Sequence, residues 1–298
     1  MHGEHSLQFT LQLAKQAKTE AQLSGIARKK FLFRDANMIL ALDIGNSQIF
    51  CGVFDGDQLK VQVRYASKAQ ISSDEFGVFL RGALRENNID PESIEIIGIS
   101  SVVPELNYAL RACCQKYFNI EPMLMQPGIK TGLKIDYKDP KEVGSDRIAD
   151  SIGAVKMFPN EDLILIDFGT ATTICAISRD RVFLGGNIMP GIRLSMEALE
   201  SKTSKLPSVE IRATNEIVGK TTIDSIQNGL YWSNVGMIKE ITSRISQEVF
   251  DGNTPLRIAT GGFSHLFDRE NLFDHVVTDL ILVGIVEALK INGYLERN

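Results

Sequence analysis

One short pattern occurs twice in this chain, and the repetition limits the folds open to it. Met38-Ile-Leu-Ala-Leu-Asp43-Ile44-Gly45-Asn46-Ser47 runs on through Gln48-Ile49-Phe50-Cys51-Gly-Val53-Phe54. It reads as an apolar strand, a turn carrying a carboxylate, a glycine and two small polar residues, and a second apolar strand. The pattern returns as Leu163-Ile-Leu-Ile-Asp167-Phe-Gly169-Thr170-Ala-Thr172-Thr173-Ile-Cys175-Ala-Ile177. Placing Asp43 on Asp167 (167 − 43 = 124) also pairs Gly45 with Gly169, Cys51 with Cys175 and Val53 with Ile177. A duplicated strand–turn–strand argues for two related halves.

The turn has a chemistry of its own. Gly45 opens a backbone conformation closed to residues with a β-carbon, and successive N–H groups in such a turn wrap around anionic oxygens. Asp43 repels a phosphate directly, so its role there is to hold a hydrated Mg²⁺ beside one. An ordinary hairpin uses the same residue types, and a single copy does not separate the two readings. Two copies facing each other make a clamp for the β- and γ-phosphates of a nucleotide.

Composition removes several function classes. The 298 residues suit two moderate domains or one domain of two lobes. With 44% hydrophobic and 23% charged residues the chain has the makings of a real core. A net charge of −5 gives no electrostatic attraction to nucleic acid or anionic lipid. The four cysteines form no C-x-x-C pair, which argues against a metal knuckle or disulfide framework and for a reducing compartment. No apolar run approaches the ~20 residues of a membrane span. Residues 1–37 carry helical spacing at Leu7, Leu11 and Ala14 but are interrupted by basic residues. They are expected to be a poorly ordered extension, with Met38 as the functional start.

Between the two turns, alternation over Leu59–Tyr65 predicts a half-exposed strand, and the spacing of Phe76, Phe79, Leu80, Ala83 and Leu84 a helix over 74–86. A buried strand over 94–103, a helix over 105–118 and a short strand over 122–125 complete a mixed sheet with helical cover. The linking segment contains Tyr137 and Gly144-Ser145-Asp146-Arg147, followed by a helix for which Ser145 or Asp146 is a candidate cap. If Asp146 instead projects into a crevice between the halves, it accepts a proton from a substrate hydroxyl. Arg147 there offers a bidentate grip on a carboxylate or phosphate, against the plainer reading of a surface ion pair.

In the second half, Arg181–Leu184 reads as a strand entering a glycine-rich loop at Gly185-Gly186, followed by a helix from Ile192. Thr222 reads as the N-cap of a long helix ending near Phe250, or as a ligand contact. Gly219-Lys220-Thr221 is not a Walker A tail, because no strand leads in and Thr214 stands where its first glycine belongs. The turn at Gly261-Gly262 permits a flat adenine to lie against bare backbone, or is a simple strand-to-helix connection. His265 and His275 are not spaced as a metal pair.

Taken together, these motifs resemble the type III pantothenate kinases, members of the acetate and sugar kinase/Hsp70/actin superfamily. The resemblance covers roughly residues 38–292 and rests on Asp43-Ile-Gly45-Asn46-Ser47, Glu142-Val-Gly144-Ser-Asp146-Arg147 and Asp167-Phe-Gly169-Thr170-Ala-Thr172-Thr173, with Gly185–Gly191, Thr203–Pro207, Val218–Thr222 and Thr260-Gly261-Gly262 in support. It implies an α/β fold of two duplicated actin-like (ribonuclease H-like) lobes, residues 38–150 and 151–298, with the active site in the cleft between them. It also implies phosphorylation of pantothenate by ATP at the start of coenzyme A synthesis.

In family terms, Asp43, Ile44, Gly45, Asn46, Ser47, Gln48, Ile49 and Phe50 contact ATP, as does Thr170, with Gly261 and Gly262 in the nucleotide site. Tyr137, Gly144, Ser145, Asp146, Arg147 and Thr222 contact pantothenate, and Asp146 is the proton acceptor. Asp167 binds K⁺ or NH₄⁺, and Asp43 holds Mg²⁺ through water. A cytoplasmic homodimer is implied. Ser47 keeps the hydroxyl of a commoner threonine. Cys175 stands where a second aspartate is usual, so a charge expected beside the hydrated cation is missing. A kinase for another small hydroxylated substrate, or a nucleotide-binding regulatory protein of the same fold, are the alternative readings.

Overall fold

The computed structural model describes residues 38–68 and 70–295; the expectations for residues 1–37 lie outside them. Two sheets with the same connectivity account for the duplication. The first comprises β1 (Met38–Ile44), β2 (Gln48–Asp55), β3 (Gln58–Ala66), β4 (Ile94–Ser101) and β5 (Met123–Leu124), in the order β3-β2-β1-β4-β5. The second comprises β6 (Lys134–Ile135), β7 (Leu163–Phe168), β8 (Ala171–Ile177), β9 (Val182–Pro190), β10 (Leu256–Thr260) and β11 (His275–Val276), in the order β11-β10-β7-β8-β9-β6. In each, the leading strand pairs antiparallel with the next and parallel with the fourth. Only β6, added beside β9, has no counterpart in the first sheet.

Among the described residues six α-helices cover the sheets: α1 (Ser73–Glu86), α2 (Pro104–Phe118), α3 (Ser145–Met157), α4 (Ile192–Lys202), α5 (Thr222–Glu248) and α6 (Leu280–Ile291). Alternation along the strands distributes them. On β1, Leu40, Leu42 and Ile44 face a core shared with α1 and α2, while Ile39 and Ala41 face the opposite way. On β7, Ile164, Ile166 and Phe168 face α4 and α5, while Leu163 and Leu165 face inward. The inward faces of both sheets meet one central core, built with α3 and α6.

α6 reads Leu-Ile-Leu-Val-Gly-Ile-Val-Glu-Ala-Leu-Lys-Ile, apolar almost all round, as a helix buried between two layers must be. It packs closely on α3. A Cβ at Gly284 would collide with the Ala149 carbonyl, and one at Gly153 with the Leu280 carbonyl, so two glycines set the distance of the crossing. Because α3 runs unbroken from Ser145 to Met157, residues 150 and 151 share one helix.

Three local expectations are corrected. The Gly185-Gly186 pair lies inside β9, not in a loop, and the strand absorbs it with a register shift opposite Ala176 and Ile177. α3 is capped by Gly144 with no side-chain bond. Neither Ser145 nor Asp146 caps it, because the Ser145 hydroxyl is taken by Ser101, donating to its carbonyl at 2.9 Å and accepting from its N–H at 3.1 Å. The cap of α5 is Thr221, whose hydroxyl accepts from Asp224 N–H at 3.1 Å, which leaves Thr222 as the first helical residue.

The matched cysteines also part company. Asp43 pairs with Phe50, and Asp167 with Thr173, so the second turn is one residue shorter. A one-residue slip moves a side chain to the other face of a sheet. Cys51 accordingly lies in the outer core under α1 and α2, whereas Cys175 lies in the central one.

Candidate active site

The alternation that turns Ile39 and Ala41 inward also turns Asp43 inward at the end of β1, and Asp167 follows Leu163 and Leu165 in the same way. The parallel neighbour of each aspartate carries a hydroxyl, Ser100 beside Asp43 and Thr260 beside Asp167. Ser100 Oγ donates to Ser145 Oγ at 3.2 Å. With the Ser145–Ser101 bonds, this pins the start of α3 against the end of β4, beside Asp43. Asp146 and Asp150, one helical turn apart on α3, are thereby carried to the same place.

The electrostatics register the convergence. Burial pushes Asp43 well above the ordinary carboxylate range, and the charges of Asp146 and Asp167 push it further. Asp150 is raised by burial and then by Asp167, Asp43 and Asp146. Burial, then Asp146, lifts Asp167 to about 7. Asp146 is raised by burial, an effect opposed by the Arg147 backbone N–H that it accepts at 2.7 Å and by the Arg147 charge.

Two of these carboxylates have a buried oxygen with no partner, Asp43 Oδ1 and Asp150 Oδ1. Leaving such an atom unsatisfied is costly, so both await a donor or a cation. Among the described residues no group of three or more His, Cys, Asp or Glu side chains is arranged to hold a metal ion. Carboxylates set this way fit a hydrated cation that completes its shell with water and phosphate oxygens.

Across the mouth of the cleft, the two turns meet. Ser47 Oγ and Thr170 Oγ1 are 2.8 Å apart, one from each half. The first turn closes through Gly45 N–H to Gln48 O at 3.0 Å and is buttressed by Ser67 Oγ donating to Gly45 O at 2.6 Å. Asn46, Ser47 and Gln48 are exposed, while Ile44, Ile49 and Phe50 are buried and anchor the turn. Arg64 stacks on the Phe50 ring at 4.0 Å from its centroid. The second turn closes through Gly169 N–H to Ala171 O at 3.1 Å. Gly261 has φ +86, and a Cβ there would strike Asp167 and the Phe168 backbone; beside it Gly262 faces open space. The Gly261-Gly262 turn therefore borders the second turn.

Gly144 precedes Asp146 as the cap of α3, and Tyr137 lies beside Arg147. Arg147 is 6% exposed. Its guanidinium lies over the Phe183 ring at 5.3 Å, and Tyr137 is near enough to favour its charge. A cavity of about 340 Å³ opens beside Ser145, walled by Met125, Ile129, Ile135, Val143 and Ile148. Thr222 is the exception: it is exposed, and among the described residues its side chain hydrogen-bonds to no other site residue.

Sequence reading missed Asp150. Its signal was the four-residue spacing from Asp146 on a predicted helix, which puts both on one face. It also missed Ser67, Ser100 and Ser101, for which no local signal exists. His265 pairs with Asp268 at 3.1 Å, and His275 sits in β11 against Phe158, so neither enters the site.

Comparison with known proteins agrees with this geometry. The model of a family described as type III pantothenate kinase matches residues 39–244. A type III pantothenate kinase of Legionella pneumophila (strain Corby) is 54% identical over 255 residues, covering 86% of this chain and 99% of that one. Type III pantothenate kinase 1 of Francisella tularensis subsp. holarctica (strain OSU18) is 49% identical over 248 residues, covering 83% and 97%. Among solved structures, one from Campylobacter jejuni described as a conserved Baf family transcriptional activator superposes with a TM-score of 0.56 at 21% identity, covering 86% of this chain and 99% of that one. The α/β fold is shared with that structure. The chain belongs to the type III pantothenate kinase family.

Proposed function

We propose that this protein transfers the γ-phosphoryl group of ATP to the terminal hydroxyl of pantothenate, the first step of coenzyme A synthesis. The observation that carries the reading is the meeting of the two turns at Ser47 and Thr170, each turn following one of the converging carboxylates. Phosphoryl transfer passes through a loose transition state, so positioning and charge neutralisation dominate over full deprotonation of the alcohol.

Each residue then has a role. The Asp43–Phe50 turn and Thr170 cradle the phosphates, and Gly261 and Gly262 border the nucleotide. Asp146 accepts the hydroxyl proton and orients the alcohol in line. Tyr137, Gly144, Ser145 and Arg147 line the acceptor, and Arg147 is the group suited to its carboxylate. Asp43 and Asp167 are assigned to Mg²⁺ and to a monovalent cation, K⁺ or NH₄⁺, with water between; these cations neutralise charge on the phosphates when bound.

A homodimer completes the reading. Thr222 is exposed and flanked in the chain by the exposed apolar residues Ile217, Val218 and Ile223, which suits a residue placed at a subunit contact near the acceptor. Among the described residues no helix is long and apolar enough to cross a membrane, and the cytoplasm is the compartment proposed.

The test is ADP release from ATP by the purified protein, with and without pantothenate and K⁺. Release that requires both supports the reading. Equal release with a sugar panel, or none with pantothenate, would overturn it.

A further inference from the structure

Arg64 is exposed, and among the described residues its side chain forms no ion pair and no hydrogen bond; its guanidinium rests on the Phe50 ring, 4.0 Å from the centroid. Register fixes its place in the sheet. Asp43 on β1 stands opposite Phe50 on β2, and Phe50 stands opposite Arg64 on β3. Residues directly opposed across antiparallel strands share a face, so Asp43, Phe50 and Arg64 form one row on the inward side of the first sheet. Val61, Val63 and Tyr65, which alternate with Arg64, pack on the outer core instead. Two strand spacings, about 10 Å, separate the backbones of Arg64 and Asp43, and the stack on Phe50 leans the guanidinium along the row toward Asp43. The same segment also holds the first turn. Just beyond β3, Ser67 donates from its N–H to Ser47 O at 3.0 Å and from its Oγ to Gly45 O at 2.6 Å.

We infer that Arg64 is a further nucleotide-binding residue, which grips phosphate oxygens of the ATP held at the first turn. A guanidinium is a planar fork of donors that matches a phosphate. The aromatic ring beneath it fixes its plane without neutralising its charge, so the arginine stands oriented and unpaired before the anion arrives. Sheet order decides which anion this is. The acceptor residues follow α3, whose start Ser145 fastens to the end of β4. In the order β3-β2-β1-β4-β5, β4 lies on one side of β1, and β2 and β3 lie on the other. Arg64 therefore stands on the side of the first turn, away from Asp146. This inference rests on the assignment of the nucleotide to the two turns and is independent of which alcohol is the acceptor.

The test is titration calorimetry of ATP with Mg²⁺, without acceptor, on the full chain in wild type, Arg64→Ala and Arg64→Lys, followed by KM for each substrate. One charge-assisted hydrogen bond sets the scale. Arg64→Ala should weaken ATP binding by about tenfold or more and raise KM for ATP in parallel, with KM for pantothenate staying within about twofold. Arg64→Lys keeps the charge and loses the fork, so it should fall between the two. Because the side chain is exposed and unpaired, ligand-free melting temperatures should stay near wild type.

Unchanged ATP binding in Arg64→Ala overturns the inference alone. So does a loss confined to KM for pantothenate, or a weakening of binding matched by a lower ligand-free melting temperature, which would mark a merely structural arginine. A wild type that binds no ATP overturns the nucleotide reading, and this inference with it. A wild type that binds ATP but does not phosphorylate pantothenate removes the acceptor assignment only, and the calorimetry still decides the role of Arg64.

Discussion

Ser47 Oγ and Thr170 Oγ1 lie 2.8 Å apart although 123 residues separate them in the chain. Each hydroxyl sits on the tip of one of the two duplicated turns, so the bond measures how closely the halves approach at the mouth of the cleft. Under the proposed function a phosphate bound between the turns contacts both. Ser47→Ala and Thr170→Ala should each lower kcat/KM for ATP by about three- to tenfold, the scale of one hydrogen bond. The double variant should lose less than the product of the two, because both remove parts of one contact. Losses that simply multiply would show that the turns act independently.

Asp146 is expected to be the proton acceptor, and general-base contributions run about 10²–10⁴-fold. Asp146→Asn should lower kcat by that order while the far-UV circular dichroism stays near wild type and the melting temperature does not fall, since the charge removed opposes those of Asp43, Asp150 and Asp167. The fold does not depend on the charge, since α3 is capped by Gly144 and tied down by Ser145. An Asp146→Asn protein retaining more than about a tenth of wild-type kcat would remove Asp146 from the chemistry.

Asp167 gives the ligand-free protein a pH dependence of definite sign. The unfolded chain titrates this group near 3.8, and burial with the charge of Asp146 raises it to about 7 in the fold. Between those values the folded protein keeps a proton that the unfolded chain has lost. The stabilising contribution is fully present below 3.8 and is lost as pH rises to about 7. Asp43, Asp146 and Asp150 are shifted in the same direction. In Asp167→Asn, denaturation free energies measured from pH 4 to pH 8 without nucleotide or metal should fall less steeply than in wild type, and the variant should be the more stable at pH 8. An unaltered slope would contradict the desolvation of Asp167 and its closeness to Asp146.

The crossing of α3 and α6 depends on glycine at two positions. Gly284→Ala places a methyl group against the Ala149 carbonyl, and overpacking of this kind costs about 1–3 kcal/mol or more. Gly229, within α5, has open space where a Cβ would stand. Gly229→Ala should therefore stabilise by about 0.5–1 kcal/mol. Urea denaturation of the two variants should move in opposite directions, and a neutral Gly284→Ala would refute the close crossing.

Much of this arrangement was legible in the residues. The period of two along Ile39-Leu40-Ala41-Leu42-Asp43 and Leu163-Ile164-Leu165-Ile166-Asp167 determines which face each aspartate takes, and the repeat of strand, turn and strand determines that there are two halves. These are local properties, fixed by the geometry of a strand wherever it lies. Asp150, the three serines and the inward placement of Cys175 were decided only by tertiary structure. A turn shorter by one residue exchanges the two faces of β8, and no count made along the sequence reveals that until β7 and β8 are paired. The site is assembled by the close contact of α3 with α6 and by Ser145 against the end of β4, contacts between segments remote in the chain. What a buried charge costs depends on its neighbours in space, and those belong to the fold rather than to the sequence order.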